Sequence, residues 1–242
     1  MKRLSINEKK WLNDRFPKLE RNETEKGFTL KGDFTVDMFY DASISEGYVV
    51  FPIEEKQRIS DKYIYDVYQV LVDYHDALFI PAVYETGGRI KAFAQRKKMY
   101  LADLHINDRG NLCLCPKPLE KVLLNEPYTI QDFFKLLLMP FFYAQSYFEN
   151  FSKWPWKDYS HGDPGILECY ADHITKVQDK TAFIERSVIS LNAQNQSVIR
   201  SADQITRQTL CFCGSGDKFR KCHHEAWEAA KKLKEAVPLL TN

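Results

Sequence analysis

The sequence predicts an α+β fold: an antiparallel β-meander of four strands, flanked by N-terminal and C-terminal helices and followed by a small C-terminal module. Alternating apolar and polar residues predict the sheet, because this period is typical of antiparallel strands with one face in water. The alternation runs through residues 28–40 and 63–74, between polar breaks that contain glycine. A cluster of cysteine and histidine residues at 211–224 predicts that the small module binds a metal ion.

The composition excludes several classes of protein. A hydrophobic content of 44% supports a packed core, whereas a net charge of +1 gives no electrostatic reason to expect binding to nucleic acid or to an anionic membrane. The basic N-terminus, MKRLSINEKK, lacks the apolar segment of a signal peptide. The most apolar stretch, residues 133–144, is shorter than the roughly 20 residues that span a bilayer. We therefore expect a cytoplasmic protein whose six cysteines serve as metal ligands, nucleophiles or buried thiols rather than as disulfides.

Local signals predict the elements of the N-terminal half. Ser5 and Glu8 form a capping box that begins a helix, and Pro17 ends that helix. Strands are predicted in four alternating segments, residues 28–30, 34–40, 48–53 and 63–74. The alternation changes phase between Val67 and Tyr68, which we interpret as a β-bulge.

The C-terminal half is predicted to be mostly helical after a long loop. Residues 75–128 show no clean period and contain several prolines and glycines, so we predict a functional loop there. A capping box at Thr129 begins a helix with a kink at Pro140, and further helices are expected after Pro164 and across residues 182–191. The predicted parts of the chain are a domain at 1–178, a helical linker at 179–207 and the metal-binding module at 208–236.

The C-terminal module contains four potential metal ligands, Cys211, Cys213, Cys222 and His223. Three thiolates and one imidazole form a complete tetrahedral set for Zn²⁺, and four protein ligands leave no open position, so the site should be structural. Gly214 and Gly216 allow the backbone to turn tightly between the two pairs of ligands. His224 is an alternative fourth ligand, and a set of reduced cysteines without metal is the other alternative.

This segment, CFCGSGDKFRKCH, meets every fixed position of the pattern C-x-C-G-S-G-x5-C followed by Cys or His, and it therefore resembles the SEC-C motif. The resemblance implies zinc binding and the recruitment of a partner protein. SEC-C motifs occur on many unrelated proteins, so the resemblance says little about the chemistry of the rest of the chain.

A second cysteine-containing segment is a candidate for nucleophilic chemistry. Cys113 follows a glycine-containing turn, with His105 and Asn107 a few residues upstream. A thiol after such a turn can be exposed enough to attack a substrate, and an asparagine amide can donate a hydrogen bond to an oxyanion. These residues fit acyl transfer through a thioester. A packed thiol without a catalytic role is the alternative for Cys113, and Cys115 is a second candidate nucleophile.

The order of these motifs resembles the ubiquitin-conjugating (UBC) family over residues 28–150. A helix and a meander are followed by Pro81-Ala82-Val83, His105-Ile106-Asn107, Gly110-Asn111-Leu112-Cys113-Leu114 and a helix that opens with Thr129-Ile130. In the UBC family the corresponding motifs are a P-x-V segment, an H-P-N motif, the segment with the active cysteine and a helix cap. Residues 145–162 are similar to a bacterial subgroup found beside genes for antiviral signalling or ubiquitin-like modification.

The resemblance implies that Cys113 forms the thioester, that Asn107 supports the loop or the oxyanion, and that His105 is mainly structural. The implied activity is that of a transferase, which takes the C-terminal acyl group of a ubiquitin-like protein, or of a partner protein, from an activating enzyme and passes it to a target amine. The bacterial subgroup suggests antiviral defence as the setting and a cyclic-nucleotide synthase as a further protein substrate. The alternatives are an inactive UBC-like adaptor with a zinc-stabilised tail, and a second metal site at Cys113 and Cys115. The sequence indicates no oligomeric state.

Overall fold

The computed structural model describes residues 3–44, 49–75, 79–201 and 203–237. The chain divides into two compact units, of which the first comprises Met1–Leu114 and Leu124–Lys157 and the second Cys115–Leu123 and Asp158–Asn242. This division differs from the predicted one, which set a boundary at residue 178 and a linker at 179–207. The structure is of the mixed α and β class that the sequence predicts, with an antiparallel sheet in the first unit.

The first unit begins with helix α1, Ile6–Arg15. The predicted capping box is confirmed: the Glu8 backbone N–H donates to the Ser5 hydroxyl, and the Ser5 N–H donates to the Glu8 carboxylate at 2.7 Å. The helix ends at Phe16, one residue before the proline, where the Phe16 N–H bonds to the Leu12 carbonyl at 2.8 Å. Local sequence signals therefore determine both ends of this helix.

The sheet of the first unit is antiparallel throughout. Its strands are β1 (Leu19–Thr24), β2 (Gly27–Tyr40), β3 (Val49–Val50), β4 (Tyr63–His75) and β5 (Ala82–Glu85). The strands pair in the order β1-β2-β4-β5, and β3 pairs with the end of β2. Strand β1 lies in a polar segment without apolar alternation, so the sequence did not predict it. Of the third predicted strand, Tyr48 lies outside the described residues.

The bulge predicted between Val67 and Tyr68 is wrong, because the register of β2 against β4 is continuous at this point. Val67 pairs with Thr35 and Tyr68 with Phe34, so no residue is inserted. The phase changes because β4 carries apolar residues on both faces. Val67 points to the open face and is 38% exposed, whereas Tyr68 is buried against the core.

Ordered elements occupy much of residues 75–128, where a long loop was predicted. They are β5, helix α2 (Arg89–Lys97), a 3₁₀ turn (Ala102–Leu104) and helix α3 (Lys117–Leu123). Helix α2 was not predicted because it lacks a start signal: it begins at Gly88, which has a left-handed φ of 77° and no capping side chain. Arg89 anchors the helix through ion pairs with Asp66 at 2.7 Å and Glu149 at 2.9 Å.

The helix that begins at Thr129 has three segments, α4 (Ile130–Phe133), a π-helical stretch (Phe134–Leu138) and α5 (Met139–Phe151). Its predicted capping box is present. Pro140 is accommodated at the start of α5, directly after the wider π-helical turns. Phe142 of α5 packs on the buried face of the sheet, 4.7 Å from Tyr68 between ring centroids. In the described parts of the chain no helix is both long and apolar enough to cross a membrane.

The second unit is a bundle of short helices. They are α3, α6 (Asp163–His173), α7 (Lys180–Ser190), α8 (Ala193–Arg200), α9 (Phe219–Cys222) and α10 (His224–Ala236). Helices α7 and α8 occupy the predicted linker, and their apolar faces are buried in the core of this unit. The buried apolar residues of these two helices and their connection are Phe183, Ile184, Val188, Leu191 and Ile199. Helices α7 and α8 therefore belong to the packed core of this unit.

Candidate metal centre and candidate nucleophile

A short hairpin positions the first two cysteines of the C-terminal cluster. Leu210 and Lys218 form an antiparallel bridge, and the Cys211 N–H donates to the Asp217 carbonyl at 2.7 Å. Between them the backbone turns at Gly214 and Gly216, whose φ values are 80° and 82°. A side chain is rarely stable at such angles, which explains the two glycines.

A one-turn helix presents the other two ligands. Cys222 is the last residue of α9, and His223 ends that helix and begins α10. The His223 N–H bonds to the Phe219 carbonyl at 2.9 Å, which fixes the backbone at the turn between the two helices. The ligands therefore come from a hairpin and a helix junction that face each other.

The four ligand atoms converge. The sulfurs of Cys211, Cys213 and Cys222 and one ring nitrogen of His223 all lie within 4.8 Å of one another. The Cys213 and Cys222 sulfurs are 3.6 Å apart, and Cys211 Sγ lies 3.2 Å from His223 Nδ1. Tetrahedral Zn²⁺ with bonds of about 2.3 Å to sulfur and about 2.0 Å to nitrogen would separate two sulfurs by about 3.8 Å and a sulfur from a nitrogen by about 3.5 Å. The donor set and its spacing thus fit a tetrahedral metal ion.

The alternative fourth ligand, His224, is not part of this group. It is exposed at the first turn of α10, where its ring packs edge-on against Trp227 at 5.7 Å between ring centroids. Cys113 and Cys115 belong to no group of three or more potential ligands among the described residues.

The environment of the cluster raises the pKa of one of its thiols and lowers the pKa of another. Burial raises the pKa of Cys211 to about 12. The pKa of Cys213 instead falls to about 6; desolvation opposes this fall, but hydrogen bonds from the Ser215 hydroxyl and backbone stabilise the thiolate more strongly. A bound cation would favour the thiolate form of every cysteine ligand, so that binding would release protons.

The cluster is anchored in the core of the second unit. Phe212, between the first two cysteines, stacks on Phe219 of α9 at 4.7 Å between ring centroids. Phe219 is fully buried and Phe212 is 8% exposed. Both aromatic positions fall within the motif, but sequence analysis of the ligands did not identify their role.

Comparison with known proteins supports this part of the site. The model of the SEC-C motif matches residues 209–225, which confirms the resemblance found in the sequence. The protein translocase subunit SecA of Koribacter versatilis (strain Ellin345) is 61% identical over 28 residues, which are 12% of this chain and 3% of that protein. The chain therefore spans only a small part of the length of this relative. No solved structure matches the chain significantly.

The three residues predicted for acyl transfer lie on a second hairpin, in the first unit. Ile106 and Leu112 form an antiparallel bridge, and the Gly110 N–H donates to the Asn107 carbonyl at 2.8 Å across the turn. Gly110 has a left-handed φ of 81°. At the base of the hairpin the Cys113 N–H donates to the His105 carbonyl at 2.8 Å. The hairpin thus brings the backbones of His105 and Cys113 together and leaves Asn107 exposed near its tip.

The surroundings of this hairpin hold it in position. His105 adopts a left-handed φ of 56°, and its ring packs on Trp154 at 5.3 Å between ring centroids. The buried side chain of Gln145 donates to the Leu104 carbonyl at 3.0 Å, one residue before His105. Cys113 is half-buried on this support.

The other two cysteines outside the metal cluster belong to the second unit. Cys115 is half-buried and packs against the apolar core of that unit. Cys169 is fully buried in α6, and burial raises the pKa of its thiol to about 12. Cys169 is therefore a core thiol.

Proposed function

We propose that the second unit binds one structural zinc ion through Cys211, Cys213, Cys222 and His223, and that the protein uses this zinc-stabilised unit to recruit a partner protein. The observation that carries the proposal is the convergence of the four ligand atoms within 4.8 Å. Thiolate and imidazole ligands in a four-coordinate set favour zinc over hard cations such as Mg²⁺ or Ca²⁺. Recruitment rests on the association of SEC-C motifs with partner proteins.

A structural zinc ion would supply folding free energy to this unit. Its ligands come from two adjacent segments, the 211–218 hairpin and the junction of α9 and α10, and the metal would cross-link their side chains through coordinate bonds. The protein's residues provide the four donor atoms and the packed Phe212–Phe219 support, and no position remains for a substrate.

Metal analysis of the intact chain tests this proposal. We expect one zinc ion per chain in wild type, loss of that ion in Cys222→Ser, and its retention in the matched control Cys113→Ser. Two zinc ions per chain would support the alternative of a second site at Cys113 and Cys115. A wild-type chain that holds no zinc, even after refolding with excess zinc, would rule the proposal out.

We further propose that the first unit is a cysteine-dependent acyl carrier of the UBC type. The observation that favours this second function is the half-buried thiol of Cys113 at the base of a hairpin whose backbone is fixed by the His105 carbonyl. The Cys113 thiolate attacks the carbonyl carbon of a protein thioester on an activating enzyme and displaces the thiolate of that enzyme. A target amine then attacks the new thioester, loses a proton and releases the Cys113 thiolate.

In this mechanism Asn107 would donate a hydrogen bond to the oxyanion of each tetrahedral intermediate. The acyl group comes from the C-terminus of a ubiquitin-like protein or of a partner protein, and the suggested setting is bacterial antiviral defence with a cyclic-nucleotide synthase as a further substrate. A catalytically inactive adaptor is the alternative, in which Cys113 only packs.

Adduct formation separates these alternatives. With an activating enzyme, ATP and a ubiquitin-like protein, the wild-type chain should form an adduct that reductant removes on a gel. Cys113→Ser should form none that reductant removes, whereas Cys115→Ser should behave as wild type. A reductant-sensitive adduct on Cys113→Ser would reject the assignment.

A further inference from the structure

A buried carboxylate lies close to the candidate metal centre, although its residue is far outside the SEC-C motif. Asp163, the first residue of α6, is 8% exposed. It accepts hydrogen bonds from the Asn192 backbone N–H at 3.1 Å, the Asn192 side-chain amide at 2.6 Å and the Asn195 side-chain amide at 2.6 Å. A buried anion is tolerated only where such donors compensate for lost hydration. The position of the Asn195 amide is therefore strongly constrained.

The same amide nitrogen reaches the metal-binding hairpin. Asn195 Nδ2 lies 3.4 Å from the Phe212 carbonyl, and Asn195 is itself only 7% exposed. Its backbone N–H is also held, by the Asn192 side chain that caps α8, at 2.9 Å. Asn195 thus connects a fixed point between α6 and α8 to the hairpin.

The carbonyl that Asn195 contacts belongs to the peptide group between Phe212 and Cys213. Its orientation constrains the backbone at Cys213, one of the four ligands. The ring of Phe212 is fixed separately, by stacking on Phe219. The side chain and the peptide group of Phe212 are therefore held by two different parts of the unit.

We infer that Asp163 and Asn195 are positioning residues for the metal centre: they hold the Phe212 peptide group, and with it the Cys211–Cys213 segment, in the geometry that binds the ion. The inference rests on the proposed zinc site. Groups that orient metal ligands by hydrogen bonds typically contribute 10- to 100-fold to metal affinity. The zinc affinity of this site then depends on residues of α6 and α8 as well as on the residues of the SEC-C motif.

The test is the zinc affinity of the full chain, measured by competition with a chromophoric chelator. Asn195→Ala and Asp163→Ala should each weaken binding roughly 10- to 100-fold, and the double variant should be no weaker than the product of the two effects predicts. The matched control is Ser187→Ala, which removes a buried hydrogen bond of 2.8 Å to the Phe183 carbonyl, a bond that lies within α7 of the same unit and does not involve the hairpin. This control should stay within about twofold of wild type.

Equal losses in Asn195→Ala and Ser187→Ala would overturn the inference, because they would reflect general destabilisation. Affinity within twofold of wild type in Asn195→Ala would overturn it as well. A wild-type chain without zinc affinity would instead refute the proposed zinc site itself.

A measurement on the wild-type chain covers the case in which the variants do not fold. The side-chain amide resonances of Asn195 should shift when zinc is replaced by cadmium, whose longer bonds to sulfur move the ligand segment while the unit stays folded, whereas backbone amides of β2 and β4 in the first unit should not shift. Unchanged Asn195 resonances would overturn the inference without any substitution.

Discussion

Two cysteine-containing hairpins, one in each unit, both turn at a glycine but bring different groups together. In both, a glycine near the turn has a left-handed φ, 81° at Gly110 and 80° at Gly214. The 211–218 hairpin joins a helix junction to bring four ligand side chains within 4.8 Å. The 105–113 hairpin brings together backbone atoms, with a single thiol at its base. The four converging side chains indicate metal binding without reference to any other molecule. The proposed reaction of Cys113, in contrast, also requires an acyl donor and an acceptor.

Of the changes considered, removal of the metal should have the largest effect on stability, and this effect should be confined to the second unit. Structural zinc contributes on the order of 10 kcal/mol in small zinc-dependent folds, so chelation should unfold much of the second unit. Hydrogen exchange should show lost protection in α8 and α10 and unchanged protection in β2 and β4. Uniform protection across both units after chelation would mean that the cluster is not integral to the helical core.

A smaller loss should follow from truncation of the aromatic support. Phe219→Ala should destabilise the second unit by about 3–5 kcal/mol, because a fully buried ring is removed. Phe142→Ala is its counterpart in the first unit, where the ring is equally buried. Denaturant unfolding should show similar losses, but zinc affinity should fall only in Phe219→Ala. A fall in both variants would indicate that the units do not respond separately.

The two turn glycines allow the comparison to be made with matched substitutions. A Cβ at Gly110 or Gly214 would meet no atom within 4 Å, so an alanine costs only backbone strain, about 1–2 kcal/mol. Gly214→Ala should appear as zinc affinity reduced roughly tenfold. Gly110→Ala should leave zinc affinity unchanged and should alter the rate at which Cys113 reacts with iodoacetamide. If zinc affinity fell in Gly110→Ala and Cys113 reactivity changed in Gly214→Ala, the roles proposed for the two hairpins would be wrong.

The smallest effect on stability is expected at the candidate nucleophile. Cys113→Ser replaces one half-buried atom and should change the free energy of unfolding by less than about 0.5 kcal/mol. Its effect should appear in adduct formation alone. A loss of several kcal/mol would identify Cys113 as a packing residue and favour the adaptor.

Local signals made parts of this structure predictable. Ser5 and Thr129 both cap helices as their sequence context indicates, and the four ligands follow from motif spacing. What was missed depends on contacts between distant residues. Glu8 completes the first capping box and also accepts the Ile130 N–H at 2.7 Å, which joins two helix N-termini 122 positions apart. Asn195 likewise reaches Phe212 only once α6, α8 and the hairpin are packed.

The missed elements have the same explanation. Helix α2 is short, and its buried face consists of Ile90, Phe93 and Ala94, so its apolar period is too brief to stand out inside a segment rich in glycine and proline; the Arg89 ion pairs that anchor it are contacts between distant residues. Residues 179–207 contain an apolar helical period but were assigned to a linker, because their partner helices are distant in sequence. Periodicity identifies an element, but it does not reveal which core that element joins.

Helix α3 has a consequence for any attempt to separate the two units. It belongs to the second unit, where Leu119 is buried, yet first-unit sequence lies on both sides of it. The polypeptide therefore passes from one unit to the other three times, and no single cut yields two complete halves. A fragment that starts at residue 158 would lack α3, and one that stops there would carry α3 without the helices that cover it. To transfer the unit with the metal ligands to another protein, α3 would have to be included as well, either as a separate peptide or joined to the rest of the unit by a new connection.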